Sequence, residues 1–76
     1  MRRVNKNETP EERFKRVAEA RTNAVLNKLR ILGNLSNRQR YGYSDKDISK
    51  IFSTINRRVR EVRAKFDSKK ERDFKL

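Results

Sequence analysis

The sequence predicts an all-α protein, an antiparallel helical hairpin that dimerisation or a larger protein partner completes to a four-helix bundle. Three observations predict it. Two segments open on residues that cap a helix, Thr9-Pro10-Glu11-Glu12 and Ser44-Asp45-Lys46-Asp47. Each is followed by apolar residues recurring every three or four positions, which places them on one face of a helix. Between the two lies a segment rich in turn formers, residues 33–44.

The chain divides into a flexible basic arm over residues 1–8, a helical hairpin over 9–67 and a charged tail over 68–76. The first helix is expected over about residues 10–32. Thr9 can accept from a backbone N–H of the first turn while Glu12 reaches back to the cap, the reciprocal arrangement of a capping box. Pro10 suits the first helical position, because its missing N–H would have no partner there in any case. Glu11 and Glu12 lie at the positive end of the helix dipole. Phe14, Val17, Ala18, Val25, Leu29 and Leu32 then project onto one stripe, with Ala24 and Ile31 on its flank and Leu26 outside it. Gly33 is placed to end the helix as a left-handed C-cap. Arg21 and Lys28 fall at the edge of the stripe. Their stems can lie along the core edge, or their charges can face an anionic partner.

The connection, residues 33–44, is long for a helical hairpin, and one short helical turn near Ser36 is allowed within it. The second helix is expected over about residues 45–67. Ser44 is its N-cap and Asp47 its third residue, with Tyr43 and Ile48 spaced to form a hydrophobic staple across the start. Ile48, Phe52, Ile55, Val59, Val62 and Phe66 come next at alternating spacings of four and three, a heptad seam over nearly three repeats, widened by Ile51. The tail after Ser68 can fray or continue as helix. Two matched amphipathic helices on a short connection pack antiparallel. One stripe against one stripe leaves both poorly covered, so Phe14, Val25, Leu29, Phe52, Ile55, Val59, Val62 and Phe66 are the expected seam for a second copy or a partner.

Composition restricts the chemistry. The chain has 76 residues, 33% of them hydrophobic, so a single small domain with a marginal core is all it can build. It has neither cysteine nor histidine. Disulfides and thiolate metal sites are thereby excluded, and the usual general bases and nucleophiles are missing. Gly33 and Gly42 are the only glycines, so no glycine-rich phosphate loop exists. Asp45 and Asp47 diverge on a helix and serve its first turn. No enzyme, catalytic residue, metal, cofactor or small-molecule substrate is expected. No apolar run approaches the ~20 residues that span a bilayer, and Met1-Arg2-Arg3 leads into polar residues unlike a signal peptide. A cytoplasmic protein without membrane contact is expected.

Charge is the informative property. Lysine and arginine number 22 against 10 aspartates and glutamates, for a net charge of +12. The excess is spread evenly: residues 1–38 hold ten basic and four acidic side chains, and residues 39–76 hold twelve and six. Self-repulsion at this density works against a compact state unless an anion neutralises it. Arg57, Arg58, Arg60, Arg63 and Lys65 crowd the last turns of helix two, and Lys69, Lys70, Arg72 and Lys75 can extend the track. A charge run is ordinarily a solvated face, and cations complement a helix C-terminus. Arginine forks nevertheless suit phosphate. Glu61, with Lys65 four positions on, reads as a routine ion pair. A second candidate is Arg38, Arg40 and Tyr41 in the connection, where cations and an aromatic ring could grip backbone and base. Tyr41 could equally cover an open bundle end.

The stretch Leu32-Gly-Asn-Leu-Ser-Asn-Arg38, followed by Tyr41, Tyr43-Ser-Asp-Lys-Asp47-Ile48 and Ile51-Phe52, with Arg21-Thr-Asn23 before it, resembles a group of small uncharacterised bacterial and phage proteins. The resemblance covers roughly residues 11–66. It implies a bacterial or mobile-element context and carries no activity and no functional residue with it.

The expected function is nucleic-acid binding, to DNA or RNA, through the basic patch. In an antiparallel hairpin Arg2, Arg3 and Lys6 would join that patch at one end. Helix-turn-helix, zinc-finger and RNA-recognition signatures are absent, so salt-dependent contacts with little sequence preference are expected. Two alternatives stand beside it. One is an accessory or interaction subunit docking by its apolar seam, such as a phage inhibitor of a host nuclease. The other is a ribonucleoprotein component. A membrane-surface helix fits less well, because the seams are spaced for helix packing.

Overall fold

The computed structural model describes residues 7–71, with side chains through residue 67. The described residues are helical but for short connecting segments. α1 spans Pro10–Gly33, a 3₁₀ turn covers Asn34–Ser36, and α2 spans Asp45–Glu71. The chain divides into two units at Tyr41 and Gly42, the first holding α1 and the second α2.

In the first unit, the start of α1 is built by its local sequence. The Glu12 N–H donates to Thr9 Oγ1 at 3.0 Å, and the Thr9 N–H donates to Glu12 Oε1 at 3.0 Å. Thr9 itself is extended, with φ −78° and ψ 164°, so the backbone turns into the helix at Pro10. Ahead of the cap, Glu8 accepts from Arg16 Nε at 2.8 Å and Nη2 at 3.1 Å. Arg13 Nε lies 3.8 Å from the same carboxylate. The Glu8 side chain is only 8% exposed, while those of Arg13 and Arg16 remain 59% and 49% exposed. The fork from Arg16 holds the Glu8 carboxyl below the ordinary carboxylate range, partly opposed by desolvation, with the Arg16 and Arg13 charges adding to the lowering. Bonding to Glu8 raises Arg16 in turn.

The end of α1 departs from the expected left-handed glycine cap. Gly33 lies within the helix at φ −63° and ψ −21°, and no described residue has a positive φ. The Asn34 N–H donates back to the Ile31 carbonyl, three residues earlier. The helix thus narrows into the 3₁₀ turn at Asn34–Ser36, and bonds of shorter span use the last carbonyls that a Schellman turn would otherwise take. The short turn near Ser36 is present. Asn37 then organises the next four residues: its Oδ1 accepts from the Gln39 N–H at 2.9 Å, and its carbonyl accepts from Arg40 and Tyr41 at 3.1 and 3.0 Å.

In the second unit, Ser44 and Asp47 form a reciprocal cap like that of α1. The Asp47 N–H donates to Ser44 Oγ and the Ser44 N–H to Asp47 Oδ2, both at 3.0 Å. Tyr43 and Ile48 are each half-buried, as a staple requires. α2 continues beyond the expected stop near residue 67 to Glu71. No glycine or proline occurs after Gly42 to stop it, and the exposed Arg63–Asp67 pair at 3.4 Å adds a small local contribution before that point.

None of the described residues is buried. Val17, Ala18 and Leu32 on α1 and Ile48 and Ile55 on α2 are half-buried. The other seam positions stay open, with Phe14 59%, Val59 58% and Phe66 58% exposed. No helix among the described residues is long and apolar enough to cross a membrane. The arm residues Arg2, Arg3 and Lys6, the tail residues Arg72 and Lys75, and the side chains of Lys69 and Lys70 lie outside the described residues.

Candidate nucleic-acid interface

α2 carries the larger of the two basic patches. Arg57, Arg58, Arg60, Arg63 and Lys65 are all exposed on it. At about 100° per residue, however, they do not share one face. Arg57 points away from the apolar seam. Arg60 stands to one side of Arg57, and Arg58 and Lys65 to the other. Arg63 lies back beside the seam.

Ion pairing divides the cluster further. Arg58 Nε sits 3.2 Å from Glu61 Oε1, and Arg63 Nε sits 3.4 Å from Asp67 Oδ2. Glu61 therefore holds Arg58 three residues before it, a pairing that counting forward to Lys65 does not reveal. Both pairs are open to water, with Arg58 75% and Arg63 74% exposed, and such pairs contribute only a few tenths of a kcal/mol. They still lower the local positive charge. Arg57 and Arg60 have no carboxylate partner among the described residues.

Helical projection adds two cations that the linear run conceals. Lys50 and Arg57 come four and eleven residues after Lys46, so all three lie on one line opposite the seam. Both lysines are exposed and have no ion-pair partner among the described residues. Their separation from the Arg57 cluster in sequence hid them; the helix period brings them onto its face.

The smaller patch belongs to the first unit. The Arg40 guanidinium lies over the Tyr41 ring, 5.9 Å from its centroid, an arrangement worth about 0.5–1 kcal/mol at an exposed site. Tyr41 is 41% exposed and Arg38 is exposed beside it. The Asn37 turn fixes the backbone that presents all three.

Among the described residues no group of three or more histidines, cysteines, aspartates or glutamates could hold a metal ion. The carboxylates with assigned partners serve as caps or ion pairs: Glu12 and Asp47 in the caps, Glu8, Glu61 and Asp67 with arginines. What the surface offers is an array of cations, some free and some neutralised. Comparison with protein families, with curated proteins and with solved structures gave no match to this chain.

Proposed function

We propose that this protein binds nucleic acid without catalysing a reaction, as a helical hairpin whose basic α2 patch contacts phosphates. The observation that carries the reading is the pair of exposed arginines, Arg57 and Arg60, with no carboxylate partner among the described residues, on a chain of net charge +12. A cation without a carboxylate neighbour keeps its full attraction for a phosphate, and its forked donors fit the two oxygens. Neutralisation by a polyanion would also relieve the self-repulsion of the chain. Arg38, Arg40 and Tyr41 provide a second contact, to backbone and base. On this reading the protein works in the cytoplasm.

Purified protein freed of co-purified nucleic acid should shift DNA or RNA at low salt, and affinity should fall steeply as salt rises. Charge reversal at Arg57, Arg58, Arg60 and Arg63 together should abolish the shift and leave the helical circular dichroism intact. Wild-type protein that shifts neither DNA nor RNA at low salt defeats the reading.

The open seam favours a second role beside the first. Val59 at 58% exposure, together with Phe52 and Val62, leaves an apolar line that a second copy or a larger protein could cover. A dimer of hairpins would make a four-helix bundle from it. Such a protein could serve as an accessory subunit, including an inhibitor that docks on a nuclease, or as a ribonucleoprotein component. Sedimentation at micromolar concentration tests the dimer, which a folded monomer would rule out.

A further inference from the structure

One row of α2 joins three residues that neither the basic patch nor the apolar seam uses to one arginine of the patch. Ser49, Ser53, Asn56 and Arg60 succeed one another at spacings of four, three and four. That is the seam pattern displaced by one residue, so the row runs parallel to the seam, about 100° round the helix from it. All four side chains are exposed, and none of Ser49, Ser53 and Asn56 has a hydrogen-bond partner among the described residues. Thr54 differs, since its hydroxyl donates to the Lys50 carbonyl at 2.8 Å. The row is bordered by Lys46, Lys50 and Arg57, and beyond Arg60 the Arg63–Asp67 ion pair closes it. Between Lys46 and Arg60 the row and its cationic border hold no acidic residue, and Phe52 and Val59 of the seam flank the row on its other side.

We infer that this face of α2 is a reading surface for double-stranded DNA, seated in the major groove with the small polar row toward the base edges and the bordering cations toward the phosphates. The inference rests on the nucleic-acid reading and specifies its ligand. A helix with side chains is about 10–12 Å across, and the major groove of B-form DNA is about 12 Å wide. A helix enters it closely only where the inward side chains are short, and Ser49, Ser53 and Asn56 meet that requirement. Their chemistry suits the floor: asparagine can bond adenine on two atoms, arginine can bond guanine on two, and serine can meet either. The line from Lys46 to Arg60 is about 21 Å long at 1.5 Å per residue, so the cations at its border reach several phosphates. Duplex RNA is a poor host, because its major groove is deep and too narrow for side chains to read. A single strand offers no groove for the row to occupy.

Fluorescence anisotropy on the full chain decides it, with a duplex DNA, a duplex RNA of the same sequence and a single strand of equal length. Duplex DNA should bind at least tenfold more tightly than duplex RNA. Selection from a randomised duplex pool should return a short preferred site. At that site Asn56→Ala should lose roughly tenfold in affinity, and Ser53→Tyr should lose as much by obstructing close approach. Each variant should lose more affinity at the preferred site than on random duplex, with unchanged helical circular dichroism. Lys50→Gln should instead weaken all duplexes alike and lower the salt slope by about one. Wild-type protein that binds no polyanion overturns the nucleic-acid reading itself. Protein that binds duplex RNA or single strands as well as duplex DNA, or that is indifferent to Asn56→Ala and Ser53→Tyr, leaves that reading standing and overturns this one.

Discussion

At the scale of single residues, the charges of this chain are not equivalent, and the difference is set by neighbours three to eight positions away. Glu8 shows it best. Its carboxyl is held low by the Arg16 fork, so its contribution is complete above about pH 4.5 and is lost as pH falls through the lowered folded value. The arrangement ahead of α1 should therefore loosen only in acid. A carboxyl titration monitored by NMR should find the Glu8 midpoint below the ordinary range in wild type and shifted upward in Arg16→Gln. Gly33 gives a second test. It is helical, and a Cβ there would meet nothing within 4 Å. Gly33→Ala should stabilise the first unit by up to about 1 kcal/mol, read as a raised melting temperature. A true left-handed cap would make the same substitution destabilising. The glycine suggested such a cap because that is its commonest use at a helix end; a 3₁₀ continuation leaves no mark in the residue type.

At the scale of elements, each helix is started by two side chains and continued by its spacing. Ser44→Ala removes the acceptor of the Asp47 N–H and should cost about 1 kcal/mol. Urea unfolding by circular dichroism would register it, and Thr9→Ala should behave alike at α1. Both starts were legible in the sequence because a capping box is wholly local: residue types three apart suffice. The seam on α2 was legible for the same reason, being a periodicity. The end of α2 was less so. A helix stops where a breaker interrupts it, and the segment from Ser68 onward supplies neither glycine nor proline. The composition of the basic patch was also only half legible. Five cations close in sequence read as one cluster, whereas the helix turns them to several sides and hands Arg58 and Arg63 to carboxylates. Counting by helical period, rather than along the chain, finds Lys46 and Lys50 and separates Arg57 from Arg63.

At the scale of the whole molecule, charge and exposed apolar surface both call for partners. Full burial of a valine, isoleucine or phenylalanine side chain is worth about 1.5–3 kcal/mol, and the seam holds several that are half open. Association should thus raise stability as concentration rises: on the dimer reading, melting measured between micromolar and millimolar protein should move to higher temperature. Replacing Ile55 and Val59 together with aspartate should remove that dependence, since an unpaired charge is costly to enclose. Unchanged melting across the range would speak against the dimer.

That no residue among those described is buried as a whole has a consequence for how this protein tolerates change. A substitution inside a packed core opens a cavity whatever the protein is bound to, and intolerance at such a position says nothing about ligands. Within either unit taken by itself, no described position carries that background cost. A saturation-mutagenesis map of residues 46–66 would then be close to blank wherever the helix faces only water. Where it was not blank, the intolerant positions would draw the outline of whatever covers them: along Phe52 and Val59 for a protein, along Ser53, Asn56 and Arg60 for a groove.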